Sequence, residues 1–159
     1  MKKIITLSLA LVMVLALFTG CSNPVADELT KFLNTDMVEV NANYEKIKES
    51  VAKWENIESD EDFAKNIEQE ILPVCEDSLT KVNAIVVETE EVIDVKAKYT
   101  KMMETYKEGF EMMLAAAKTG DEAKLNEAND KLSAALGLLD EYNAALESIA
   151  AEIGAEIEY

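Results

Sequence analysis

The chain has 159 residues and sets 32 acidic side chains against 15 basic ones, a net charge of -17, with no histidine and with lysine as its only basic residue type. Without histidine there is no Ser-His-Asp or Cys-His nucleophile system and no imidazole metal ligand, and without arginine there is no bidentate clamp for phosphate or carboxylate. The acidic balance also argues against nucleic acid, whose binding needs a basic face, and against lying flat on an anionic membrane.

Lys2 and Lys3 make a positive start, and the run from Ile4 to Phe18 is apolar except for Thr6 and Ser8. That run falls short of the roughly 20 residues a spanning helix needs, so it reads as an export signal rather than a transmembrane anchor. Leu17, Phe18, Thr19 and Gly20 lead directly into Cys21, and this join resembles a bacterial lipobox, although Phe18 stands where leucine is usual. The resemblance implies that the Cys21 thiol is alkylated with diacylglycerol, that the bond between Gly20 and Cys21 is cut, and that Cys21 becomes the first mature residue. The competing reading is a cysteine that falls by chance at the end of an ordinary cleaved signal. On the lipobox reading, residues 1–20 are a signal peptide and 21–159 a single domain on the outer face of the cytoplasmic membrane, partnered with lipid through Cys21. Two acyl chains suffice for durable attachment where one does not. Cleavage leaves 139 of the 159 residues, and loss of Lys2 and Lys3 takes the charge from -17 to -19. That length suits one domain with a real core.

Asn23 and Pro24 predict a helix start almost at the lipid, since asparagine caps free amides and proline fits the first turn. The apolar stripe Val25, Leu29, Phe32, Leu33, Met37, Val40, Tyr44, Ile47, Val51 and Trp54 carries this first helix to about Asn56. Ser59 followed by Asp62 predicts the second start. Its stripe is Phe63, Ile67, Ile71, Val74, Ser78, Val82 and Ile85, interrupted by Pro73, which predicts a kink or two short helices meeting at Leu72. A turn falls near residues 86–90, with Thr89 as the cap of a third helix whose stripe is Val92, Val95, Tyr99, Met103, Tyr106, Phe110, Met113 and Ala117. Gly120 ends that helix and Asp121 caps the fourth. There a heptad repeat places Leu125, Leu132, Leu139, Leu146 and Ile153 at one seam position and Ala128, Ala135, Tyr142 and Ile149 at the other, the coiled-coil-like period of long helices packed nearly parallel. No segment reads as a strand. The expected fold is all-α: an antiparallel up-down-up-down four-helix bundle of long helices, with helix 2 kinked or broken at Pro73.

The stretch from Phe110 through Leu114, Gly120, Asp121 and Glu122 to Tyr142 and Asn143, with the final Glu156 to Tyr159, resembles a group of small lipid-anchored helical proteins of Gram-positive bacteria. The shared residues are packing and capping positions, so the resemblance implies fold and location and no chemistry. Val87 stands where that group suggests proline.

Candidate chemistry is sparse. Met37, Met102, Met103, Met112 and Met113 carry thioethers that suit Cu(I), but their spacing fits gap-filling in a core better. Glu58, Asp60, Glu61 and Asp62, with Asp121 and Glu122, gather carboxylates toward one end, yet lack the loop spacing that fixes calcium geometry. Asp94, between Ile93 and Val95, falls on a polar helix edge. With Cys21 lipidated, Cys75 is the one free thiol and reads as a small buried apolar residue. No catalytic, cofactor or metal site is therefore expected. The first expectation is a non-catalytic lipoprotein that acts through protein contacts or as an envelope component, with small residues Ala134, Ala144, Ala145 and Ala151 widening a surface for close approach. The alternative is an extracytoplasmic binding module that holds a small apolar or cationic ligand between helices, near Pro73 and the Tyr99, Tyr106 and Phe110 rings.

Overall fold

A computed structural model of the chain describes residues 14–16 and 23–158, so Gly20 and Cys21 lie outside the described residues. The protein is mostly helical. In chain order it runs β1 (Val14–Ala16), α1 (Pro24–Lys31), a π-helical turn (Phe32–Asp36), α2 (Val38–Ala52), a 3-10 turn (Lys53–Asn56), α3 (Asp60–Asn66), a second π-helical turn (Ile67–Ile71), α4 (Leu72–Ala84), α5 (Glu90–Thr119), α6 (Glu122–Ile153) and β2 (Glu156–Glu158).

Short polar side chains start the helices at the expected places. The Asn23 side chain accepts from the Val25 amide at 3.1 Å, and the Ser59 hydroxyl accepts from the Asp62 amide at 3.0 Å. Asp121 accepts from the Ala123 and Lys124 amides at 3.1 and 3.2 Å. Each satisfies donors that the first turn of a helix leaves free. Gly120 and Gly154 end α5 and α6 with φ of 68° and 69°, a left-handed conformation that costs glycine nothing.

The first two helical runs are not uniform α-helix. Residues 24–56 contain a π-helical turn closed by the Met37 amide on the Phe32 carbonyl at 2.9 Å, a widening that the stripe does not announce. In residues 60–84 the wide turn ends at Ile71, one residue before α4 begins, so the break expected at Leu72 is present and takes the form of a π-helical turn. Pro73 explains its place. Proline has no N–H to give the Gln69 carbonyl, and a turn in which Leu72 N–H bonds back to Ile67 accommodates the missing donor. Gln69 and Pro73 are both exposed. The extra residue rotates α4 relative to α3, and the buried stripe passes through Cys75 rather than the expected Val74, which is half-buried.

Residue pairs run in opposite order along successive helices. Trp54 meets Asn66, Ser50 meets Glu70, Asn43 meets Asp77 and Glu39 meets Lys81 between the first two runs. Farther along, Glu68 meets Lys118 and Glu76 meets Lys107. The long helices α5 and α6 likewise pack along each other in opposite directions. Gly109 and Leu132 each stand 11 residues from the Gly120 and Asp121 turn, and Tyr99 and Tyr142 each stand 21. By contrast Tyr44 meets Tyr106 and Trp54 meets Phe110, in the same order along both segments. The core between these elements contains most of the predicted stripe positions, with Val25, Val74, Ile85, Ala117, Leu125 and Ile153 only partly buried against it and with Cys75 and Met102 added.

One feature overturns the expectation that no strand occurs. β1 and β2 pair antiparallel, with Leu15 opposite Ile157. Gly154 turns the chain out of α6, and in β2 the Ile157 side chain packs against the core while that of Glu156 is exposed.

The tightest approach lies at Gly109, where a methyl group would sit 2.7 Å from Leu132 Cδ2 and 3.3 Å from the Leu132 amide nitrogen. Alanine has the higher helix propensity by about 1 kcal/mol, yet overpacking a filled site costs about 1–3 kcal/mol. We therefore expect Gly109→Ala to destabilise the protein in urea titration, and the added substitution Leu132→Ala to cost less in that background than alone.

Candidate functional site

The end of the molecule at which α1 starts is organised by Glu28, a residue that no local pattern singles out. Its carboxylate accepts from the backbone amides of Glu88 and Thr89 at 2.7 and 2.8 Å, and from the Thr89 hydroxyl. Thr89 occupies the expected capping position, but its side chain makes no capping bond to α5 and is spent on Glu28 instead. A carboxylate from α1 thus neutralises the start of α5, where free N–H groups and the helix dipole favour negative charge. Burial pushes the Glu28 carboxyl up, but the Thr89 hydroxyl, the Thr89 and Glu88 amides and the charge of Lys31 together hold it below its ordinary 4.5.

Lys96 closes the other side of the same loop, donating to the carbonyls of Asn83 and Ile85 at the end of α4. Beside it lies an open groove of about 630 Å³, lined by Ile85, Val86, Val87, Ile93 and Ala97 among others. Val86 is 77% exposed and Ile93 46%, unusual for side chains of that size. Asp94 lies exposed at this end, 3.6 Å from Lys98, on the polar edge as expected.

The opposite end brings together the 57–59 and 120–121 connections. Asp60, Asp121 and Glu122 line one shallow pocket of about 130 Å³ with Phe63 and Leu125. Three carboxylates at this end are engaged locally. Asp62 takes the Ser59 hydroxyl, Glu61 pairs with Lys65, and Asp121 caps α6. Among the described residues no group of three or more acidic or thiol side chains is arranged to hold a metal ion.

Between the ends, the residues considered for ligand binding are core. Tyr99, Tyr106 and Phe110 are at most 1% exposed and contact protein rings: Tyr99 meets Tyr142 edge-on at 5.4 Å, and Tyr106 stacks on Phe110 at 6.0 Å and meets Tyr44 edge-on at 6.3 Å. Neither these rings nor Pro73 line the three pockets described. Met37, Met102, Met103 and Met113 are buried along the same core, and Met112 is half-buried against it. Cys75 is fully buried, and burial pushes its thiol up to about 12.

Two polar clusters join the first two helical runs and were not legible as sites. Asn66 accepts from the Trp54 indole at 2.7 Å and donates to Glu70 at 3.1 Å, while Ser50 donates to the same carboxylate at 3.2 Å. Asn43 donates to Asp77 at 2.6 Å, and Lys81 bridges Asp77 and Glu39. The local signals are the i,i+4 spacings of Asn66 with Glu70 and of Asp77 with Lys81. On α6, the heptad seam from Ala128 to Ile149 is buried within the chain. Ala134, Ala144 and Ala151 are exposed and Ala145 is half-buried, and a side chain added at Gly137 would meet nothing within 4 Å.

Comparison of the chain with protein-family models, curated proteins and solved structures returned no match.

Two measurements probe these assignments. Glu28→Gln should cost about 1–2 kcal/mol near neutral pH. Because the folded carboxyl sits below its unfolded value, this stabilisation is fully present above about pH 4.5 and is lost as pH falls through the folded value. The wild type and variant curves of stability against pH should accordingly converge in acid. Cys75 should resist maleimide at pH 8 in the native protein and react at the rate at which denaturant exposes it.

Proposed function

We propose that the protein is a lipoprotein, cut before Cys21 and held on the outer face of the cytoplasmic membrane by diacylglycerol, and that it acts by contact with other envelope components rather than by catalysis. The observation that carries this reading is the join of Phe18, Thr19, Gly20 and Cys21 set directly against a capped helix. Only Ser22 separates Cys21 from Asn23, so the lipid would meet the folded domain with almost no tether. An arrangement of four antiparallel helical runs, up-down-up-down, is supported by the opposed pairing of successive helices and the same-sense pairing of Tyr44 with Tyr106. In it, the Glu28 contact puts the 85–89 loop at the anchored end, and the 57–59 and 120–121 connections become the distal tip. Glu88, Glu90 and Glu91 near the lipid would repel anionic headgroups and favour an upright stance.

A contact role draws support from the surface. Lysines are largely engaged with carboxylates of the same chain, which leaves an acidic exterior interrupted on α6 by Ala134, Gly137, Ala144 and Ala151. The alternative, a module that holds a small apolar or cationic ligand, has less support because the described pockets lie away from the tyrosine rings. Metabolic labelling tests the anchor: radioactive palmitate should enter the wild type and be absent from Cys21→Ala, which should also leave the membrane fraction. Equal labelling of both proteins would overturn the reading. Crosslinking in intact cells followed by mass spectrometry would then recover the neighbours, and repeated recovery of none would count against a contact role.

A further inference from the structure

On the lipoprotein reading proposed above, the cut between Gly20 and Cys21 removes a piece of the fold. β1 ends at Ala16, four residues before that cut, and among the described residues it is the one strand that pairs with β2. The pairing is antiparallel, with Val14 opposite Glu158, Leu15 opposite Ile157 and Ala16 opposite Glu156. β1 also lies against the π-helical turn Phe32–Asp36. Cleavage therefore uncovers the backbone edge of β2 and the ground beside that turn.

The uncovered edge is held by its own part of the chain. Gly154 leaves α6 with φ of 69°, the Ala155 amide donates to the Ala150 carbonyl at 2.8 Å, and Ile157 packs against the core. None of these contacts involves β1. A strand fixed in this way presents unpaired N–H and C=O groups to an incoming segment, which completes the ladder without first having to order its template.

We propose that β2 of the mature protein is a docking edge that takes an extended segment of another envelope protein by strand addition. The segment has an apolar residue in the place of Leu15 and basic residues on either side of it. Its extended, antiparallel backbone follows from β1, which occupies the same edge in the uncut chain. The apolar middle follows from the register that sets Leu15 opposite Ile157. The basic flanks follow from charge: Glu156 is exposed, residues 132–159 contain no basic side chain, and opposite charges on facing positions stabilise a strand pair. Charge also argues against a second copy of this chain, because two β2 strands paired antiparallel about Ile157 would set glutamate opposite glutamate. The proposal rests on the lipoprotein reading, since an uncut chain keeps β1 in place.

The test uses a fluorescein-labelled peptide, Ser-Thr-Lys-Leu-Lys-Thr-Ser, and reads its anisotropy. It is titrated with the mature lipoprotein extracted from membranes in detergent, and with full-length Cys21→Ala, after mass spectrometry has fixed where each chain begins. The mature protein should bind at least about tenfold more tightly, because a tethered β1 competes at an effective concentration on the order of millimolar. Glu156→Lys in the mature protein should weaken binding about threefold with the helical circular dichroism unchanged. Absence of binding to a chain shown to begin at lipidated Cys21, or equal binding by the cut and uncut proteins, overturns the docking edge and leaves the anchor standing. Binding that is indifferent to Glu156→Lys overturns the basic partner. A wild-type chain that retains residues 1–20 in the membrane overturns the anchor and the docking edge together.

Discussion

The close approach of α5 to α6 is the constraint on which the remaining packing depends. Gly109 lets Leu132 seat against the α5 backbone, and the left-handed Gly120 sets the register so that residues equidistant from the turn face each other. With α6 held this near, α5 buries side chains over more than one stripe. Met102 and Met103 are both inside, as are Gly109 and Phe110. α3 and α4 also pack on α5, and Tyr106 and Phe110 reach the rings of α2 and its 3-10 extension. A bulkier residue at 109 would displace α6 and with it the partner of Tyr99.

Features whose cause is local were readable from the chain. Asn23, Ser59 and Asp121 act on amides two or three residues away, and Gly120 acts on its own backbone, so sequence spacing contains the whole interaction. The apolar stripes are also local, because periodicity needs no knowledge of the partner. What escaped depends on distant residues. Glu28 caps a helix that begins some sixty positions later, and nothing around it marks the role. Asn43 and Asn66 look like ordinary polar positions until Asp77 and Trp54 come to meet them. The π-helical turns are intermediate cases. Pro73 announced a break but not its form, and the form decided whether Val74 or Cys75 faced inward. As for Gly20 and Cys21, the role proposed for them rests on a processing pattern rather than on the fold.

The polar seam between the first two helical runs differs in kind from the core. Pairs such as Glu39 with Lys81 are solvent-exposed and contribute little individually. Their arrangement is specific all the same, since a one-residue slip would set carboxylates against carboxylates. Apolar contacts supply most of the adhesion, and the charged seam selects the register in which it occurs. The same pairing consumes cations, so the outside of the molecule presents mostly negative charge and discourages non-specific adhesion to anionic polymers and surfaces. On the contact role proposed above, selective encounters would rely on the uncharged small residues of α6.

The single tryptophan of the chain supplies an internal observer of this arrangement. Trp54 is 4% exposed, bonded to Asn66, and edge-on to Phe63 at 4.8 Å and Phe110 at 6.1 Å. One indole therefore senses the junction of three segments far from the Glu28 loop. Its emission colour would follow opening at that tip alone, so fraying of one extremity can be timed by light while the other stays optically silent.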